Sequence, residues 1–351
     1  MESKNFIAIS PGMTIREQLE DRGMSHKEFA GRMDLSEKHV SNLINGKVEL
    51  TCNIALRLES VLGIPAQFWL NKENLYREQL ARVKADLEIA NDIEIAKKMP
   101  YSKGSAFGWV PKTRKAIEKA YNLRKYFEVA YLETLEKLQP PGIACGAVRS
   151  GESIDYALVM WAQQARIQAR TITVDAIDLN LLQNQLLEIR ALTKTPATFF
   201  CDELRCILAN CGVALVFLPH IGGSYLHGAT FYDGRHIVLG LTVRGRDADR
   251  FWFSLFHELG HIVLRHIGRN YNEAENKQAE DEADAFAQDT LIPFEQYKAF
   301  VEKKVFNKQN IIAFAHEIDI APGIVVGRLQ RDQYVRYDQL HELKEQYVIS
   351  E

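Results

Sequence analysis

The chain has 351 residues, 46% of them hydrophobic, 25% charged and 10% aromatic, with 43 Lys and Arg against 46 Asp and Glu for a net charge of −3. That composition excludes a disordered, collagen-like or disulfide-scaffold protein, and the length suggests two or three domains with cores of their own. Near-neutral charge weighs against a non-specific polyanion binder but leaves room for a sequence-specific reader with a small basic face.

The opening MESKNFIAISPGMT has no apolar stretch after a basic start, and no run of about 18 or more apolar residues occurs, so neither a secretory signal nor a membrane span is expected. The cysteines are Cys52, Cys145, Cys201, Cys206 and Cys211, an odd number that suits a reducing cytoplasm better than a disulfide framework.

Residues 14–70 form a run of short helices broken by turn residues. Within SHKEFAGRMDLSEKHVSNLING, residues 25–46, Ser25 with Glu28 makes a capping box and Ser36 caps a second helix. The short turn between them and the small Ala30 at the crossing satisfy the spacing of a helix-turn-helix. Asp34 stands at the turn position that glycine often holds. Ile15, Leu19, Phe29, Ile54, Leu58, Leu62 and Trp69 are the expected core, with Val40 and Leu43 packing back from the second helix. That helix, Glu37 to Ile44, would enter the major groove with Lys38, His39, Ser41 and Asn42 outward and Lys47 just beyond. Between Thr14 and Leu62 there are seven basic and eight acidic residues, so the helix pattern, not charge, points to DNA.

The stretch from PGMTIREQLEDRG to AQFWL, residues 10–75, resembles the HigA-type antitoxin branch of the Cro/repressor (XRE) helix-turn-helix family. The resemblance implies a homodimer that binds its own promoter and neutralises a toxin encoded beside it.

Residues 71–98 read as a charged helical connector. Pro100, Gly104, Gly108 and Pro111 are expected to break the helical pattern, which resumes over 112–138 and stops at Pro140-Pro141-Gly142. A helical middle then runs to about Leu192, with Thr195-Pro196 marking its end. Cys201, Cys206 and Cys211 are spaced by five, about 500° of helical turn, so their thiols diverge and a structural role is expected. From Gly212 the texture changes: VALVFLP reads as a strand, and Asp233-Gly234 between two apolar runs signals a hairpin.

After Asp247 helix returns, and FWFSLFHELGHIVLRH contains His257-Glu258-Leu259-Gly260-His261. Two histidines four apart share one helical face and can reach one Zn²⁺, while Glu258 sits beside the open position as general base for water. The apolar flanks suit a buried active-site helix. A third histidine in the extended pattern is excluded, because Leu264 and Ile267 occupy the places for its Gly and His. The third ligand is therefore expected from EDEADAFAQDTLIP, with Glu280 the ligand, Asp284 supporting a histidine ring, and Glu282 the rival on a short helix.

HELGHIVL, the Glu280–Ala287 pattern and Leu291-Ile292-Pro293 resemble the ImmA/IrrE family of zinc metallopeptidases, over roughly residues 200–335. The resemblance implies a cytoplasmic endopeptidase that cleaves a few regulatory proteins, such as phage or stress-response repressors. Tyr225 or His227 could stabilise an oxyanion. AHEIDIAPGIVVGRLQ has helix-turn-helix spacing of its own, yet is expected to pack beneath the peptidase domain.

The expected fold is mainly α with an α+β C-terminal domain. It divides into a helix-turn-helix bundle over 1–75, a helical middle over 76–195, and a zincin-like metallopeptidase domain with a small sheet over 196–351. The expected function is a DNA-binding, antitoxin-like regulator whose zinc endopeptidase cleaves a regulatory protein, a repressor or a cognate toxin among the candidates. The alternative is an antitoxin and autorepressor whose metal domain senses or binds a partner without hydrolysis.

Overall fold

The computed structural model describes residues 9–137, 155–221, 228–242, 247–268 and 273–347. The protein is mainly helical with one three-stranded sheet, and it divides into two compact units, one ending at Glu94 and one starting at Ile95. No single helix among the described residues is long and apolar enough to cross a membrane.

The first unit holds α1 (Pro11–Asp21), α2 (His26–Met33), α3 (Glu37–Ile44), α4 (Cys52–Leu62) and most of α5 (Ala66–Lys98). Each of the first four starts at a hydroxyl cap: Ser10, Ser25, Ser36 and Thr51 accept first-turn backbone N–H groups at 3.1, 3.2, 3.2 and 3.4 Å. The turn from α2 to α3 carries Asp34 in the left-handed region, at φ 52°. Arg57 holds that turn from α4, donating to the Met33 and Asp34 carbonyls at 2.8 and 3.0 Å. All seven residues expected in the core are buried, joined by Ala30, Met33, Val40, Leu43, Ile44 and Leu50. At Gly12 a Cβ would lie 2.0 Å from the Ile44 carbonyl oxygen, so only glycine lets α1 approach the end of α3.

The second unit begins with α6 (Tyr101–Ala106), α7 (Ala116–Phe127), α8 (Thr134–Lys137), α9 (Tyr156–Ala169), α10 (Leu179–Ala191) and α11 (Ala197–Asn210). The strands β1 (Val213–Leu218), β2 (Gly228–Asp233) and β3 (His236–Thr242) follow, then α12 (Ala248–Val263), α13 (Glu273–Leu291), α14 (Phe294–Glu302), α15 (Lys308–Glu317) and α16 (Pro322–Arg331). The sheet order is β1-β3-β2, with β1 parallel and β2 antiparallel to β3. The hairpin turns at Gly234 and Arg235, the former at φ 63°, with Asp233 ending β2 opposite His236.

Helix α9, from the stretch read as a middle region, packs on β1 and β3. A Cβ on Gly240 would stand 2.5 Å from the Trp161 ring, so the indole lies directly on the β3 backbone. Gly240→Ala should therefore lower stability by about 1–3 kcal/mol, the usual cost of overpacking, as read from a denaturant midpoint; an unchanged midpoint would show that Trp161 moves aside freely. Arg190 of α10 is buried and donates to the carbonyls of Leu291, Ile318 and Asp319 at 3.0, 2.6 and 3.3 Å, closing the ends of α13 and α15.

Three expectations need correction. Gly104 lies inside α6 instead of breaking a helix; the Met160 methyl group sits 2.1 Å from where its Cβ would be, so packing selects the glycine. The helix expected over 112–138 is interrupted at Glu128, φ 56°, where the Val129 N–H turns back to Arg124 and Arg170 binds the Glu128 carboxylate at 2.8 Å. The helix bearing Glu280 is not short, since α13 spans 19 residues. The Pro140-Pro141-Gly142 stop, Cys145, Tyr225 and His227 lie outside the described residues. Cys211 is buried, Cys201 half-buried and Cys206 exposed, all as free thiols. The α15–α16 pair buries Ile324, Val325, Val326 and Leu329 in the core of this unit.

Candidate metal centre

The site is built where α12 meets α13. One face of α12, with Phe251, Trp252, Leu255, Phe256, Leu259 and Ile262, is buried in the core, which fixes the rotation of the helix. Along α13, Ala279, Ala283 and Ala287 recur every fourth residue and are buried, opposite Gly260 of α12. A Cβ on Gly260 would meet the Phe286 ring at 3.0 Å and the Ala283 Cα at 3.3 Å. The two helices thus approach closely, and Glu280 is carried over the two histidines.

His257, His261 and Glu280 each offer one ligand atom, and these atoms lie within 4.8 Å of one another. The two Nε2 atoms are 3.1 Å apart, and the Glu280 carboxylate oxygens stand 3.3 Å from His257 Nε2 and 3.5 Å from His261 Nε2. Glu280 Oε1 is buried and has no hydrogen-bond partner among the described residues. A buried carboxylate oxygen left unpaired beside two imidazole nitrogens is a set that a divalent cation satisfies, and two nitrogens with one oxygen suit zinc. The residues present therefore fit the ion that the motif implies.

The charges agree. Burial acts to lower the His257 pKa, but its hydrogen bonds to Asp284 and Glu280 outweigh burial and hold it at about 10. His261 is driven the other way by burial and by its neighbours His257 and His266, to about 3, and is a neutral ring.

Asp284 takes His257 Nδ1 at 2.8 Å through one oxygen and Arg331 of α16 at 2.6 Å through the other. Arg331 also lies over the Phe253 ring, 4.5 Å from its centroid. Glu258 is 3% exposed, and the Thr230 hydroxyl of β2 donates to its Oε2 at 2.5 Å. Burial raises the Glu258 carboxyl to about 7, against the opposing pull of His257 and Thr230. A Cβ on Gly228 would lie 2.8 Å from that carboxylate, so the start of β2 runs directly beside it.

Glu282, the rival third ligand, points elsewhere and accepts from His266 Nε2 at 3.1 Å. His266 in turn lies 3.1 Å from His261 through the two Nδ1 atoms. His266, Thr230 and Arg331 are the site neighbours that sequence reasoning did not assign. His266 carried a readable signal, a histidine five residues past the second ligand, whereas Thr230 and Arg331 carry none. In the first unit α3 exposes Lys38 and Ser41, Lys47 is exposed beyond it, and His39 and Asn42 are half-buried. His39 Nε2 is buried without a hydrogen-bond partner among the described residues.

Known proteins match each unit separately. Residues 215–329 match the family described as IrrE N-terminal-like domain (Peptidase_M78), and residues 15–69 match Helix-turn-helix (HTH_3). The chain is 34% identical over 80 residues to the uncharacterized HTH-type transcriptional regulator YddM of Escherichia coli, covering 23% of this chain and 83% of that one. It is 39% identical over 77 residues to antitoxin HigA-1 of Vibrio cholerae, covering 19% and 72%. A solved addiction module antidote protein of a HigA family from Coxiella burnetii is 29% identical, with a TM-score of 0.22, over 24% of this chain and 92% of that one.

Proposed function

We propose that this chain, which belongs to the helix-turn-helix regulators through residues 15–69 and carries an IrrE N-terminal-like domain over residues 215–329, is a DNA-binding regulator that cleaves a regulatory protein as a zinc-dependent endopeptidase. The observation that carries this reading is the convergence of His257 Nε2, His261 Nε2 and an unpaired Glu280 oxygen beside a buried Glu258.

His257, His261 and Glu280 would hold the zinc, with Asp284 orienting His257 through Nδ1. A bound zinc ion supplies Lewis acidity toward the scissile carbonyl and toward water. Glu258 takes the proton from the attacking water and delivers it to the leaving amine. A carboxyl near pH 7 suits both halves of that transfer. Thr230 fixes the Glu258 rotamer through its hydroxyl. Among the described residues β2 pairs only with β3, so an extended peptide can add to its other edge and bring its backbone past Glu258.

On the DNA side, Lys38, His39, Ser41, Asn42 and Lys47 are the proposed contacts, presented by a homodimer that doubles them. A second reading, an antitoxin and autorepressor that binds its partner without cutting it, is favoured by the identity to antitoxin HigA-1 over the first unit. The test is to map new protein N-termini in cells before and after induction of the full chain, with and without zinc chelation. Cleavage at a few sites that stops on chelation and returns with added zinc is expected. The same N-termini in both conditions would refute the peptidase.

A further inference from the structure

Charge is not spread evenly along this chain. Residues 95–127 carry nine basic side chains and one acidic, Glu118, a net charge of +8 in a chain whose total is −3. The remainder of the chain therefore stands at −11. Lys115 is paired with Glu118 at 2.8 Å, whereas Lys98, Lys112, Arg114, Lys119 and Lys125 make no ion pair among the described residues. A surface that merely meets water usually interleaves both signs, and this one does not.

The structure gathers these residues around one buried tyrosine. Tyr101, 4% exposed, opens α6 directly after α5, its N–H bonding the Met99 carbonyl at 2.8 Å. Its hydroxyl donates to the Pro111 carbonyl at 2.6 Å and accepts from the Asn122 amide of α7 at 2.8 Å. Lys119 Nζ lies 5.4 Å from the centroid of the same ring. The end of α5 with Lys97 and Lys98, the connection with Lys112, Arg114 and Lys115, and α7 are thereby tied into one piece. Helix α7 buries Ala120, Leu123, Tyr126 and Phe127 and leaves Lys125 exposed. Lys97, Lys98, Lys103, Lys112 and Arg114 are exposed as well.

The first unit is the opposite case. Between Thr14 and Leu62 it holds seven basic and eight acidic residues, and Arg32, Arg57, Arg77 and Arg82 each pair with a carboxylate. So balanced a bundle can read base edges but brings few cations to phosphates, and backbone charge supplies much of the affinity for duplex DNA.

We propose that the basic surface of α6, α7 and the connection between them is a second DNA contact. It binds backbone phosphates of the duplex that the helix-turn-helix reads and supplies the sequence-independent part of the affinity. The proposal rests on the reading of this chain as DNA-binding. Duplex DNA is the occupant that the chain itself argues for, because the reading helices lack the cations that this surface holds in excess. The patch begins at Lys97, three residues after the first unit ends at Glu94. Tyr121 and Tyr131 each give a ring face to the Arg124 guanidinium, 5.7 and 5.0 Å from their centroids. Backbone charge, more than base stacking, is therefore what the surface offers.

The test uses the full chain and, because phosphates carry no sequence, a mixed-sequence duplex of about 40 base pairs. Affinity is measured across a salt series for the parent and for the triple variant Lys112→Gln, Arg114→Gln, Lys125→Gln. A control, Lys298→Gln, Lys303→Gln, Lys304→Gln, changes the charge equally. All six side chains are exposed, so both variants should fold. Each lost phosphate contact should make the slope of log affinity against log salt shallower by about 1. The patch variant should lose about 2–3 in slope, bind at least about 10-fold more weakly at low salt, and converge on the parent as salt rises. The control should stay within about twofold of the parent, since screening confines a surface charge to its neighbourhood. Slope and affinity equal to the parent's, or equal losses in both variants, would overturn the proposal. So would unchanged duplex affinity with lost affinity for single-stranded RNA of the same sequence, which assigns the patch to another partner. A parent chain that binds no duplex at about 50 mM salt would overturn the DNA-binding reading itself, a failure visible before any variant is made.

Discussion

Glu258→Gln should retain zinc and lower turnover of the protein substrate by at least about 100-fold, up to about 10⁴-fold, the span expected when a general base is removed. Glutamine has the shape of glutamate and its amide oxygen can still accept from the Thr230 hydroxyl, so the rotamer and the packing under Gly228 should survive. What disappears is the acceptor for the water proton. The same substitution should not destabilise the metal-free chain. Burial raises the Glu258 carboxyl to about 7 from an ordinary 4.5. A carboxyl whose folded value lies above its unfolded one opposes folding increasingly as pH rises between the two, and fully above the folded value. Below the unfolded value that penalty vanishes. Glutamine escapes it, so metal-free Glu258→Gln should unfold at or above the temperature of the parent at pH 8, and the difference should shrink by pH 4. Turnover within a few-fold of the parent would remove Glu258 from the mechanism. If a toxin or other partner is bound and silenced equally by both proteins, the binding reading gains.

Enlarging Gly260 should dismantle the site from a distance. Valine at this position would drive its Cβ into the Phe286 ring and the Ala283 backbone, already 3.0 and 3.3 Å from a bare Cβ, and its two methyl groups would need further room. The backbone of α13 cannot yield locally, so the helix must withdraw and take Glu280 away from His257 and His261. Zinc affinity in Gly260→Val should fall by about 10- to 100-fold or more, since ligand placement is what the close approach secures. Stability should fall by about 1–3 kcal/mol. Gly260→Ala adds only the Cβ, and a shift of a few tenths of an ångström by the neighbours should accommodate most of it. A graded loss, small for alanine and large for valine, ties the metal site to helix separation. Equal affinity in all three proteins would show that Glu280 reaches the histidines by some other route.

The parts of the protein legible from sequence are those whose determinants are local. The Ser25 and Ser36 caps, the apolar spacing of the first unit and the Asp233-Gly234 hairpin are each written within a few residues, and the structure shows them. His257 and His261 share one helix face, and Glu280 and Asp284 share one face of another helix, so local spacing made each set legible while their approach depends on Gly260 against Ala283 and Phe286. What sequence could not show depends on neighbours far along the chain. Gly104 reads as a helix breaker until Met160, 56 positions on, is seen to occupy its missing side chain. Glu128 ends a helix without a glycine because a left-handed turn is locked by backbone bonds and Arg170. Arg331 supports Asp284 from α16, and Thr230 reaches Glu258 from a strand, with nothing in either local sequence to announce it. His266 is the intermediate case. Its position after the motif is visible, but its orientation depends on a left-handed arginine at 265, a residue type that gives no warning of that conformation.

The near-neutral composition conceals two local devices of different kinds: a DNA-reading helix bundle and a donor set on two facing helices. Zinc-edge X-ray absorption on the purified full chain tests the central assignment most directly, alongside metal content. The expected result is one zinc per chain with light-atom ligands only, at about 2.0–2.2 Å, including the outer-shell scattering of two imidazoles. Glu280→Ala should remove one of the light ligands. Sulfur at about 2.3 Å, or protein folded and free of zinc after purification with zinc present, would contradict it.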